Sequence, residues 1–335
     1  MTEIATTGDL ARQLILRRQN ADTRAQMDAL VGEVATGRKA DLPGALRGEY
    51  SALASLERDI ALLDAYAVSV SELSSRSDAA ALALDNILGT TEAMTSKLLG
   101  AEGIDRLGSV DVIASEARQS LGSVLDTLDT RFAGRALFAG AATGTAAVID
   151  ADALLAELTT AVAGATSAAD VETAVRDWFA PGAGFDTLGY LGADAPVAPQ
   201  PVARTRALGI EVTAADPRLR EMLIGFSMAA LADAAPLAGD LDAQGELAAR
   251  AGRSLASAVT PLTDVSAEIG AMQSELELVE TSNAAERTAL RTARGDLIDA
   301  DIFDSAGRLE AIQGQLDILY AITARTSRLS LANYL

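Results

Sequence analysis

Residues 53–88 read LASLERDIALLDAYAVSVSELSSRSDAAALALDNIL. Leu53, Leu56, Ile60, Leu63, Ala67, Val70, Ser74, Ser77, Ala81, Leu84 and Leu88 fall at alternating steps of three and four. Nine of these eleven positions are apolar, a heptad-like spacing that specifies a long amphipathic helix and not a strand. Leu62, Tyr66 and Leu73 form a second apolar row, so the helix packs on more than one side. Forty-odd residues of such helix measure about 60 Å.

The same spacing recurs outward from this stretch. Residues 8–36 read as a helix with Asp9 near its start as a cap. Leu16, Thr23, Met27, Leu30 and Val34 share one face, and Thr36-Gly37-Arg38 ends it, glycine being the usual left-handed residue past a helix end. Gly100 and Gly103 interrupt the long helix; Val110, Ile113, Ala117, Leu121, Val124, Leu128 and Phe132 resume the stripe. At about 137 the texture changes to small residues, two short helical pieces (about 151–163 and 168–178), and alternating Val197, Val202, Leu208, Ile210 and Val212 among Gly and Pro, read as short strands. Pro217 suits a first helical turn. Leu255, Val259, Leu262, Ile269, Met272, Leu276 and Val279 make another long stripe, which Pro261 either starts or kinks. A last helix carries Ile298, Ile302, Leu309, Ile312, Leu316 and Leu319; Thr323, Thr326 and Ser330 then replace apolar residues, so the seam thins.

The expected fold is mainly α: an elongated helical bundle or coiled coil formed by the N- and C-terminal flanks, with a small inserted α+β domain. The expected segments are 1–45, an N-terminal assembly helix and turn; 46–136, the N-terminal half of a helical core; 137–215, the inserted outer domain; 216–295, the C-terminal half of the core; and 296–335, a C-terminal assembly helix. Neither terminal stripe can stay wet, because each buried Leu or Ile is worth roughly 1.5–3 kcal/mol. Helices of this kind are marginal alone. Both ends are therefore expected to be weakly ordered in the free chain and to order on packing or assembly.

Composition removes most other functions. The net charge of −20 repels phosphate backbones and argues against nucleic acid. With no His and no Cys, the usual zinc and copper ligand sets, thiol nucleophiles and a Ser-His-Asp triad are gone. No stretch approaches the ~18 apolar residues of a membrane span, and the polar start Met1-Thr2-Glu3-Ile4-Ala5 lacks the basic and apolar regions of a cleaved signal. Gly140-Ala141-Ala142-Thr143-Gly144-Thr145 has no lysine of a phosphate loop and reads as a turn. Asp299 and Asp301 suit a helix start better than an acid–base pair. Glu275, Glu277 and Glu280 read as a solvated face, and Trp178-Phe179 as a core plug. No cofactor, metal or catalytic residue is expected.

Three segments resemble the flagellin family. Leu30–Arg38, Leu-Val-Gly-Glu-Val-Ala-Thr-Gly-Arg, is similar to the family's helix stop, and Asp41-Leu42-Pro43 stands where the family has Asp-Asp-Pro. Arg131–Gly144 is similar to the Gly-x-x-Leu-Phe-Gly/Ala-Gly segment that leaves the helical core in hook-associated members. Asp299-Ala300-Asp301-Ile302 resembles the opening of the family's terminal helix, followed by Gln313 and Gln315. The ending Leu329-Ser330-Leu331-Ala332-Asn333-Tyr334-Leu335 is closer to that of members at the hook–filament junction than to the Leu-Ser-Leu-Leu-Arg of filament members, though Ala332 replaces a Leu.

The resemblance covers about 1–140 and 215–335. It implies an extracellular structural subunit of the bacterial flagellum at the hook–filament junction, exported through the type III apparatus without a cleaved signal. The implied partners are like subunits, a neighbouring hook-associated protein, flagellin, and a cytoplasmic export chaperone, with neither nucleic acid nor membrane insertion. The expected assembly seam is Leu16, Met27, Leu30, Val34, Ile298, Ile302, Leu309, Ile312, Leu316, Leu319, Leu329, Leu331, Tyr334 and Leu335. The alternatives are a filament flagellin and, from another class, a cytoplasmic helical scaffold or signalling rod.

Overall fold

The computed structural model describes the backbone of residues 3–100 and 109–332, and side chains within 14–100, 110–234 and 236–325. The fold is mainly α. In chain order the helices are α1 (Glu3–Thr36), α2 (Leu42–Ala45), α3 (Ser51–Gly100), α4 (Ser109–Leu128), α5 (Ala151–Ala161), α6 (Ala168–Trp178), α7 (Pro217–Ala230), α8 (Leu241–Ile298) and α9 (Ile302–Ala332). Sheet among the described residues is confined to two antiparallel hairpins, β1 (Arg131–Phe132) with β2 (Arg135–Ala136), and β3 (Gln200–Ala203) with β4 (Arg206–Leu208). The chain forms two compact units: Met1–Asp64 with Ala284–Leu335, and Ala65–Asn283. α3 and α8 each run through both.

Within Ala65–Asn283, α3 shows how periodicity and packing divide the work. Val70, Ser77, Leu84, Thr91 and Leu98 are buried at seven-residue steps, and so are Leu73, Ala80, Ile87 and Met94. The first row is the one expected. The second is not: Ala67, Ser74, Ala81 and Leu88 are only half-buried. The seam turned toward the Tyr66–Leu73 side, because that is where its partners lie. Two hydroxyls in the buried stripe are satisfied by the helix itself, Ser77 Oγ on Ser74 O at 2.8 Å and Thr91 Oγ1 on Ile87 O at 2.7 Å.

α4 packs along α7, and α5 and α6 pack on each other and on these two helices. The segment 137–215, expected to be an inserted domain, shares one buried core with α3, α4, α7 and α8. Its helices start on side-chain caps, Asp150 Oδ1 accepting from Ala153 N and Ser167 Oγ from Asp170 N. Phe179 and Phe185 are fully buried with Trp178 stacked edge-on. Arg220 caps this plug: it lies over the Phe185 ring and donates to Phe179 O, Ala215 O and Asp186 Oδ1. Alternate charges join α6, α7 and α8: Arg176 bonds Glu172 and Glu221, Arg250 bonds Glu172 and Glu246, and Ser254 bonds Glu221.

Three sequence expectations shift. α1 already runs from Glu3, so Asp9 lies inside it and not at its start. α4 stops at Leu128, and Phe132 belongs to β1, where Ala133 and Gly134 at φ 50° and 79° turn the hairpin. Pro261 lies within α8, not at its beginning. The chain start of α8 has Asp240, whose carboxylate accepts from Ala243 N. Pro217 does occupy the first turn of α7, behind an Asp216 cap.

Candidate assembly interface

The unit of Met1–Asp64 and Ala284–Leu335 is organised around two helix breaks. α1 stops where Gly37 takes φ +69°, with its N–H on Glu33 O at 2.8 Å. The following turn is held by Asp41, whose carboxylate accepts from Gly44 N at 3.0 Å and caps α2. One aspartate thus suffices to hold this turn. The second break, between α8 and α9, is built by Asp301: its Oδ1 accepts from Phe303 N and Asp304 N at 3.0 and 3.2 Å. That is an N-cap, as the sequence suggested for this residue.

These breaks, some 260 residues apart in sequence, meet. Arg38 and Asp299 form an antiparallel bridge, flanked by Lys39 N on Ile298 O and Ala300 N on Gly37 O, both 2.9 Å. Lys39 Nζ donates to Asp296 O and Leu297 O at 3.2 and 3.0 Å. It covers the last carbonyls of α8, which carry the negative end of the helix dipole. Glu33 clasps the junction from the other side. Oε1 accepts from Ala40 N at 3.0 Å, and Oε2 from the buried Ser305 hydroxyl at 2.8 Å. The Ala40 N–H first, then Ser305, and then the charges of Arg308 and Lys39 hold this carboxyl below its ordinary range.

From this junction α1 packs along α9. Leu30 and Leu316 are buried, and Ile298 is buried at the end of α8. Leu16, Met27, Val34, Leu309, Ile312 and Leu319 are half-buried, while Ile302 is 50% exposed. Arg24 donates from Nε and Nη2 to Tyr320 Oη at 3.1 and 2.6 Å across the pair. The side chains of Leu329 and Leu331, and Tyr334 and Leu335 altogether, lie outside the described residues.

The outward faces carry what sequence reasoning missed. Leu14 and Ile15 on α1 and Phe303, Ile318 and Ile322 on α9 are exposed, Phe303 by 93%. A second apolar row beside the first was the available signal. A pair of helices that buries one stripe and leaves another in water has a further surface to cover. The groove at the α8–α9 break is lined by Arg291, Asp296, Asp299 and Asp301. Among the described residues no cluster of metal-ligating side chains forms, and no helix is long and apolar enough to cross a membrane.

Residues 253–335, which contain α9 and most of α8, match the family described as the bacterial flagellin C-terminal helical region. The C-terminal quarter of the chain is thus similar to the flagellin C-terminal helical region. The Asp299–Asp301 break lies inside the matched segment, and the Gly37 stop is the element it contacts. The fold is similar to that of a protein from Vibrio parahaemolyticus assigned as a flagellar hook-associated protein, with a TM-score of 0.51 over 73% of this chain and 95% of that one, at 15% identity. Among curated proteins none matches the chain in sequence.

Proposed function

We propose that this chain is a flagellin-family protein, a non-catalytic structural subunit at the hook–filament junction of the bacterial flagellum. In this role its terminal helices assemble with like subunits, between a hook-associated protein and flagellin. One observation carries the reading: the two chain ends are tied into a single helical pair whose outward faces still expose Leu14, Ile15, Phe303, Ile318 and Ile322. The fold likeness to a hook-associated protein and the ending Leu329-Ser330-Leu331-Ala332-Asn333-Tyr334-Leu335 support the junction over the filament. The role needs no cofactor. Export without a cleaved signal, in the company of a cytoplasmic chaperone, follows from the same family likeness.

A strain lacking the gene is expected to build hooks but to shed flagellin into the medium. Normal filaments and swimming in that strain would overturn the proposal. A filament flagellin is the second reading, favoured by the flagellin C-terminal match itself. Abundance separates the two: a filament subunit dominates sheared flagella, whereas a junction subunit is a trace component.

A further inference from the structure

Three of the chain's eight prolines fall within six residues: Pro196, Pro199 and Pro201 in Ala195-Pro196-Val197-Ala198-Pro199-Gln200-Pro201. Each ring locks its own φ at about −65° and drives the residue before it into extended backbone. Of this stretch only Val197 escapes both restrictions. Among the described residues no peptide bond is cis. Pro196–Pro199 runs straight, without turn or strand pairing, and Val197 and Ala198 donate no hydrogen bond. Val197, expected in a strand, lies outside β3. Extended, proline-locked backbone without internal hydrogen bonds is a polyproline II helix, which repeats every third residue. Exposure follows that period. Val197 and Gln200 are half-buried on one edge, while Pro196 and Pro199 on the second, and Ala198 and Pro201 on the third, are exposed.

The segment is also held at both ends. Ala195 O accepts from Ala141 N at 2.8 Å. Val202 is fully buried, and its carbonyl accepts from Asn283 Nδ2 at 2.8 Å. Gly209 passes beneath: a Cβ there would lie 3.2 Å from Pro199 Cα and 3.6 Å from Val197 O. Prolines often guard a sheet edge. Pro201 stands in β3 and suits that task, but Pro196 and Pro199 precede the strand. They present two apolar rings one turn apart, on backbone whose freedom is already lost before any binding.

We infer that Pro196–Pro201 is a preformed docking ligand, read by a partner protein through a groove lined with Trp or Tyr. Aromatic faces accept the proline rings, and their N–H or O–H groups donate to the backbone carbonyls, the mode in which Pro-x-x-Pro segments are recognised. A second copy does not fit: only 4% of the chain is aromatic, and its one tryptophan is stacked against Phe179 and Phe185. The contact depends neither on the terminal helices nor on the junction role.

A photo-reactive benzoylphenylalanine in place of Ala198, in the full-length chain expressed in its own bacterium, tests it. Irradiation is expected to yield an adduct with a different protein, the joined peptide carrying Trp or Tyr. Pro199→Ala, added to that chain, is expected to cut the adduct about tenfold, the size of one lost ring contact. Purified Pro196→Ala and Pro199→Ala chains should each melt within about 4 °C of the parent, since the change acts mainly on the unfolded state. A larger fall would show that the rings hold the fold, and would overturn the inference. So would the absence of an adduct, an adduct with a second copy, a joined peptide without Trp or Tyr, or an adduct undiminished by Pro199→Ala.

Discussion

Glu33 does three things with one carboxylate: it closes the turn after α1 through Ala40 N, reaches α9 through Ser305, and sits near Arg308 and Lys39. Each hydrogen bond to a charged group contributes about 1.5–3 kcal/mol. Because the folded state holds this carboxyl below its ordinary range, its contribution is present above the ordinary carboxylate pKa of about 4.3 and is lost as pH falls through the lowered folded value. Acidification should therefore loosen the junction of α1 and α9, read as faster amide exchange at Lys39, Ala40 and Ala300. Glu33→Gln should be weaker at neutral pH and lack that acid-dependent loss. Equal pH dependence in both chains would remove Glu33 as its source.

At the scale of elements, two glycines with positive φ make different demands. Gly37 ends α1 at φ +69° with open space where a Cβ would go. Gly37→Ala should cost only the left-handed strain, about 1–2 kcal/mol. Gly140 has φ +58°, and a Cβ there would lie 2.2 Å from Ala193 O and 2.6 Å from Ala195 O. Those carbonyls belong to a backbone that Ala141 N and Ala193 N bind into place, so Gly140→Ala must also displace backbone and should cost clearly more, about 3 kcal/mol or above. Urea denaturation of the two variants decides it; equal losses would mean the 193–195 segment yields freely. The Gly140 segment was read from sequence only as a small-residue turn. Its requirement for glycine comes from a strand of chain more than fifty residues later, which no local pattern announces.

For the whole molecule, the division into two units predicts that damage to one can spare the other. Leu316→Asp places a charge at a buried position of the α1–α9 pair. It should unfold that pair, with a loss of about 3 kcal/mol or more, and block assembly. The core around Phe138, Phe179, Phe185 and Phe226 should keep its exchange protection and its single tryptophan's emission. Loss of both together would mean that the units fold as one.

Helices were legible in the sequence because apolar spacing reports a local property, the period of the backbone. The stop at Gly37, the caps at Asp216 and Asp301, and the short helices α5 and α6 follow from side chains acting on their own neighbours within a turn. What tertiary structure alone decided is which of two competing apolar rows goes inside. In α3 the row through Leu73, Ala80, Ile87 and Met94 won over Ala67, Ser74, Ala81 and Leu88. In α9 Leu316 is buried while Ile318 and Ile322 remain outside. Period belongs to one helix; the choice of face depends on what another segment places against it. The pairing of Arg38 with Asp299 shares that origin, since it is made by residues that only the folded chain brings near.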